Sequence, residues 1–422
     1  MTLLSRGKLA LGFAVILISG LLVMTLAVVD AANAVPEESK IKLDQIKTQE
    51  LVTGPYSYFV PPYSYYYFHN MDQLGFQLDW VQHAEAVFKL KEPVKKFTVN
   101  YTYKNHTYAL DEYFKRNAVT GFLILKDDQI IFEKYFYGAD QNSRFISNSV
   151  GKSITSTLFG VALEEGKIAS VDDLVIKYVP ELKGSAFERV TLKQTLEMAT
   201  GIIASEDAFD PNSTVHLMDE SVLHGKPSFM QVLKMLKENP NEKPGSTFNY
   251  TSLNTEVLGF VIEKATGMPL NKYLEEKIWK KIGTQSDAFF YRAKAQPDQC
   301  AFGCFNSTVR DYGRFGLMMM NGGTLAGNQV VSENWVKEAT TPAKFATPLQ
   351  DSENLGYGYQ WWIPSDGGGA YKGMGIFGQI LYINPEKHIV IMQTAAWPRP
   401  EMNERWEESS KLMAAIVTAI SK

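Results

Sequence analysis

"SNSVGKSITS", residues 147–156, places a serine three residues ahead of a lysine among small and hydroxyl-bearing side chains. Ser-x-x-Lys also occurs at Ser5–Lys8 and Ser39–Lys42, so the spacing alone selects nothing and the surroundings must decide. Upstream, Gly121 to Leu125 and Ile130 to Phe136 are β-prone runs separated by Lys126-Asp127-Asp128-Gln129, a hairpin signal. Downstream, Ile154, Leu158, Val161, Ala162 and Ile168 recur at roughly helical spacing, and Gly166 suits the stop. Ser149 then stands at a helix start with Lys152 on the same face one turn on. A serine hydroxyl is a weak nucleophile until a neighbouring base takes its proton. A lysine is that base only when neutral, which requires burial or a nearby cation. Helix-start N–H groups favour the negative charge that develops there.

The other two matches lie in unsuitable places. Ser5–Lys8 borders residues 9–29, an uncharged apolar run preceded by Arg6 and Lys8 and closed by Asp30. That run exceeds a secretory core of about 7–15 residues and approaches the roughly 20 that span a bilayer. Ala32-Asn33-Ala34 would serve as a cleavage site. The expectation is export with a retained membrane anchor, and a cleaved signal is the alternative. Ser39–Lys42 falls in a polar spacer, "VPEESKIKLDQIKTQELVTGP" (35–55), with nothing to build a pocket. The aromatic run 56–70 reads as a packed surface loop, because Pro61-Pro62 interrupts it and it does not alternate.

The 422 residues permit one large domain or two modest ones, and 45% hydrophobic with 21% charged residues is ordinary for a globular protein. A formal net charge of −4 gives no electrostatic reason to expect nucleic acid. Cys300 and Cys304 are the only cysteines. In an oxidising compartment they can pair if Gly303 allows the tight turn, and two separately buried thiols are the alternative. They are too few for a structural zinc site, no histidines form a ligand-like pair, and no metal or cofactor is expected.

Residues 170–290 are dominated by helical patterns, including "FMQVLKMLKEN" (229–239) and "NTEVLGFVIEKATG" (254–267). Strands return in "QILYINP" (379–385) and "HIVIMQTAA" (388–396), and a helix over 403–421 ends the chain. Strands near both ends with helices between predict one shared sheet and an inserted helical lobe.

Two further stretches carry chemistry. Tyr250-Thr251-Ser252 stands just before a helix, and a tyrosine hydroxyl beside a buried lysine can shuttle a proton; in isolation Tyr250 reads as an ordinary packed aromatic. Gly373, Gly375 and Gly378 lie at the entry to a strand, where the backbone can approach a bound group and an N–H can complete an oxyanion hole.

These three pieces, in this order, resemble the serine β-lactamase-related family of penicillin-binding proteins, class C β-lactamases, family VIII-type esterases and 6-aminohexanoate-dimer hydrolases. The resemblance spans roughly residues 115–420 and includes "VTLKQTLEMATGI" (190–202), "FNSTVRDYGRFGLMMMNGG" (305–323) and "LGYGYQWW" (355–362). "EDAFDPNSTV" (206–215) and "GMGIFGQ" (373–379) are most similar to the 6-aminohexanoate-dimer hydrolase and esterase branch. It implies an α/β, β-lactamase/transpeptidase-like fold: a mainly antiparallel sheet flanked by N- and C-terminal helices, with the hydrolase domain over 116–422. Residues 1–34 then form the signal or anchor, and 35–115 a spacer and N-terminal extension.

By the same resemblance Ser149 is the acylated nucleophile, Lys152 its proton acceptor and Tyr250 the acid/base. The backbone N–H groups of Ser149 and Ile376 form the oxyanion hole. Ser252, Asp207, Asp210, Tyr357, Trp361 and Gly375 are candidates to line the substrate site. Gly373-Met374-Gly375 stands where penicillin-recognising members have Lys-Thr-Gly, and Ser252 where they have asparagine. The counter-charge for a β-lactam carboxylate is therefore missing. The expectation is a hydrolase of a small ester or linear amide. A cell-wall D-amino-acid peptidase and a silent anchored binding protein are the alternatives.

Overall fold

Along residues 119–126 every side chain but the last is buried, because alternate residues pack against different layers. Phe122 and Ile124 join a core with Tyr113, Phe114, Trp406, Leu412 and Ile416. Leu123 and Leu125 point the other way, onto Gly313 of the helix beneath. A strand covered on both faces reads as a continuous apolar run. The computed structural model describes Phe59 and residues 61–92, 96–207, 210, 212–345, 355–365 and 367–421. Residues 9–29, Ser5–Lys8 and Ser39–Lys42 lie outside them.

The sheet strands are β1 (Val119–Lys126), β2 (Gln129–Tyr135), β3 (Leu355–Tyr357), β4 (Trp362–Pro364), β5 (Tyr371–Gly375), β6 (Gln379–Asn384) and β7 (Ile389–Ala395). Their order is β3-β4-β5-β6-β7-β1-β2, and every pairing between these seven strands is antiparallel. The β1/β7 register, Ile124 opposite Ile391, joins an early and a late segment of the sequence in one sheet, as expected.

The described helices that matter most are α1 (Val150–Glu164), α2 (Thr214–His224), α3 (Ser252–Thr266), α4 (Val309–Met320) and α5 (Asn403–Ile420). Helix α5 and the helix Leu110–Arg116 cover one sheet face. Helix α4 lies against the other, where Gly313 and Gly316 admit Leu123, Leu381 and Val390 so closely that a Cβ would collide. Helices α2 and α3 belong to the inserted lobe, and α3 packs against α1.

Two expectations need adjustment. The helix read over 229–239 ends at Met235. Leu236 turns extended, and Lys237–Glu238 pairs with Ile202–Ile203, so backbone groups find strand partners instead. The aromatic run contains a buried one-turn helix, Ser64–Tyr67, and Phe59 and Phe68 pack on Phe377 at 5.7 and 5.2 Å. Gln77–Val81 also joins a second sheet, pairing with Ala288–Arg292. Cys300 and Cys304 are disulfide-bonded, with Cα atoms 5.7 Å apart. Among the described residues, no helix is long and apolar enough to cross a membrane.

Candidate active site

Ser149 is the residue before the first turn of α1, and its hydroxyl makes no cap hydrogen bond to that helix. It instead accepts from Lys152 Nζ at 2.7 Å. The preceding Asn148 has φ 41°, a left-handed turn that asparagine tolerates better than most residues. Its side-chain amide donates to Ile376 O at 3.0 Å, tying the helix start to the end of β5. Gly375 makes the fit tight. A Cβ there would lie 2.8 Å from Ser149 N and 2.8 Å from Ser147 O. Beyond Ile376, Phe377 is also left-handed, at φ 62°. Such backbone costs on the order of 1–3 kcal/mol in a non-glycine residue. It is held by Phe377 N–H to Pro400 O, Trp397 N–H to Phe377 O, the stacked ring of Phe59 and the edge-on ring of Phe68.

Lys152 is 1% exposed. Besides Ser149 it donates to Ser252 Oγ at 2.9 Å and Phe302 O at 3.3 Å. Burial lowers its pKa from the ordinary ammonium value to about 8, against the opposing charge of Glu206. The rings of Tyr250 and Phe302, 5.0 and 5.6 Å away, flank the nitrogen. Tyr250 hydrogen-bonds Ser149, and burial pushes its hydroxyl far up, so the phenol keeps its proton. A serine thus stands between an amine that can lose its charge and a phenol that can donate. That set can accept a proton from the nucleophile and return one to a leaving group.

The sequence reading brought Ser149, Lys152, Tyr250, Ser252, Gly375 and Ile376 to this point, and the fold assembles them. It missed three contributors. Glu206 accepts the Ser252 N–H at 2.7 Å and the Ser252 hydroxyl at 2.9 Å. Phe302 supplies a carbonyl from inside the Cys300–Cys304 loop. That loop is wedged between α1 and α3: Thr155 donates to Ala301 O, Ala301 N–H donates to Glu256, and Gly259 makes room for Ala301. Trp362, half-buried, stacks on Tyr250 with centroids 5.8 Å apart.

The expected wall residues fare unevenly. Tyr357 packs edge-on to Tyr250 and Trp362. Trp361 is fully buried between Phe315 and Tyr371, a core position on the other side of the chain from its neighbour. Asp207 and Asp210 are exposed, and Asp210 accepts the Asn212 N–H in a turn. The acid this segment delivers to the lysine's surroundings is Glu206, and nothing in the local pattern distinguishes it from its neighbours. Asp219 on α2 has its carboxyl pushed up to about 7 by burial first, then by Glu206 and Glu220.

Lys372 directs its amine to Ser410 of α5 at 2.9 Å, so it does not replace the cation absent from Gly373-Met374-Gly375. A separate cavity of about 690 Å³, lined by Phe88, Lys89, Lys280 and Lys281 among others, shares no residue with this site. Among the described residues, no group of three or more His, Cys, Asp or Glu is placed to hold a metal ion.

The family model described as Beta-lactamase matches residues 111–411. The 6-aminohexanoate-dimer hydrolase of Paenarthrobacter ureafaciens is 31% identical over 309 residues, 69% of this chain and 76% of that protein. The "Putative D-alanyl-D-alanine carboxypeptidase" of Escherichia coli K12 is 26% identical, over 69% of this chain and 82% of its own length. The structure of the "Putative 6-aminohexanoate-dimer hydrolase from Bacillus anthracis" superposes with a TM-score of 0.75 at 23% identity, covering 86% of this chain and 96% of that one.

Proposed function

The chain belongs to the beta-lactamase family of serine hydrolases, and we propose that it cleaves an ester or linear amide through an acyl-enzyme on Ser149. The observation that carries this reading is the buried Lys152 amine, 2.7 Å from Ser149 Oγ. In the proposed cycle Ser149 Oγ attacks the carbonyl carbon and its proton passes to neutral Lys152. Negative charge on the carbonyl oxygen meets the N–H groups of Ser149 and Ile376. As the C–O or C–N bond breaks, the leaving group takes a proton from Tyr250, which recovers one from Lys152. Water then attacks the acyl carbon and its proton returns through the same groups, releasing the acid and restoring the Ser149 hydroxyl.

An uncharged substrate fits the surroundings better than a β-lactam. Strand β5 offers glycines instead of a cation, and the partly exposed rings of Phe248, Tyr250 and Trp362 form an apolar wall. Similarity to the 6-aminohexanoate-dimer hydrolase supports a linear amide as the scissile bond. The second reading, a D-amino-acid carboxypeptidase, is supported by the Escherichia coli relative.

The test is fluorophosphonate labelling beside turnover of p-nitrophenyl esters, an aminohexanoate dimer, a D-alanyl muropeptide and nitrocefin. Ester or dimer hydrolysis lost in Ser149→Ala is expected. D-alanine release as the main activity would replace the first reading with the second. If Ser149→Ala labels as well as wild type, the nucleophile is misassigned. We also propose export, with residues 9–29 as anchor. A disulfide is at home in an oxidising compartment; recovery of the full chain in the cytoplasmic fraction with free thiols would refute this.

A further inference from the structure

Lys152 has three acceptors around it: Ser149 Oγ, Ser252 Oγ and Phe302 O. An ammonium has three donors and can satisfy all of them, but a neutral amine has two N–H groups and one lone pair. Which acceptor loses its donor when the amine is neutral decides whether the lone pair can do chemistry. Phe302 O is a carbonyl and can only accept. Ser252 has one hydroxyl proton, and that proton is given to Glu206 Oε2 while Glu206 Oε1 takes the Ser252 N–H. Toward Lys152, Ser252 is therefore an acceptor too. The two N–H groups are used on Ser252 and Phe302, and the lone pair is left facing Ser149.

We propose that Glu206 is a positioning residue that fixes the direction of the Ser252 hydroxyl and thereby aims the lone pair of neutral Lys152 at the Ser149 proton. The proposal rests on the Ser149–Lys152 reading above and adds to it a residue that touches neither the nucleophile nor the lysine. Glutamine at 206 would keep the shape and reverse the polarity. Its oxygen would accept the Ser252 N–H and its amide would donate to Ser252 Oγ. The Ser252 hydroxyl proton would then turn to Lys152 and occupy the lone pair. The effect is distinct from charge. Glu206 holds the Lys152 pKa up, so removing its charge alone would ease formation of the neutral amine and speed the reaction.

The test is the saturating rate of fluorophosphonate labelling (kinact) and its half-saturation (KI) in the full chain. The variants are Glu206→Gln, Ser252→Ala and the double variant, with Ser149→Ala as control and thermal unfolding as the check on folding. Glu206→Gln should lower kinact about 100-fold, within the range of general-base effects, and leave KI within about twofold. With no hydroxyl to misdirect, the double variant should recover to the rate of Ser252→Ala. A Glu206→Gln rate within about threefold of wild type overturns the proposal, as does a double variant no faster than Glu206→Gln. If Glu206→Gln does not fold, Ser252→Ala decides alone: the amine loses the acceptor that aims it, so a fall in kinact beyond about threefold at unchanged KI supports the proposal, and a rate within about threefold of wild type overturns it. Labelling of Ser149→Ala at the wild-type rate would instead remove the nucleophile assignment, and the proposal with it.

Discussion

Lys152 Nζ lies 2.7 Å from Ser149 Oγ at the end of a side chain that is only 1% exposed. The same burial that brings amine and hydroxyl together lowers the amine's pKa to about 8. Only the neutral amine can accept the serine proton, and at pH 7 roughly a tenth of it is neutral, against a few parts in ten thousand for an ordinary lysine. The kcat/KM for a p-nitrophenyl ester should therefore rise as pH increases through about 8. A profile flat from about pH 6 to 10 would contradict Lys152 as base.

Burying that amine also costs stability. The folded pKa lies below the unfolded one, so between about pH 8 and 10.5 the unfolded chain binds more protons and stability rises with pH. Lys152→Met, which needs no proton removed, should abolish activity and stabilise the fold below pH 8 by about 1–3 kcal/mol. The gain should fade toward pH 10.5. Urea titrations across that window measure it, and a destabilised variant at pH 7 would contradict the assignment.

Gly375→Ala would place a methyl group 2.8 Å from Ser149 N and Ser147 O. Helix α1 and strand β5 must then separate at the point where the oxyanion is expected. A loss of kcat on the order of 100-fold follows, with little change in KM. Steady-state kinetics with thermal melts separates this from unfolding.

The Cys300–Cys304 bond closes the loop that presents Phe302 O to Lys152. A loop this short contributes roughly 2 kcal/mol by chain entropy. The Cys300→Ser/Cys304→Ser pair should lose about that much stability and also lower kcat, because the amine loses a fixed acceptor. Unchanged kcat in a folded double variant would free the loop from any part in the site.

Trp361 and Trp362 should respond in opposite ways. Trp361→Ala removes a fully buried indole and should cost about 3–5 kcal/mol of stability. Trp362→Ala removes the ring stacked on Tyr250 and should raise KM for apolar esters several-fold while changing the melting temperature little. Denaturation and steady-state kinetics on the two variants decide it.

Local spacing and motif order made much of this protein legible in its sequence. Three residues apart on a helix put Ser149 and Lys152 on one face, and short continuous apolar runs put 119–126 and 389–395 in a sheet covered on both sides. Both are local patterns and need no distant partner. The tertiary structure decided what reaches the lysine from elsewhere. Glu206 arrives by way of Ser252, and Phe302 O by a disulfide loop 150 residues on. Spacing says nothing of contacts at such separations, and the three acids of 206–210 are alike until the fold turns one inward. Neighbouring side chains on an extended chain point to opposite faces, so Trp361 entered the core and Trp362 met Tyr250. Only the sheet's packing, which the sequence does not spell out, chose between them.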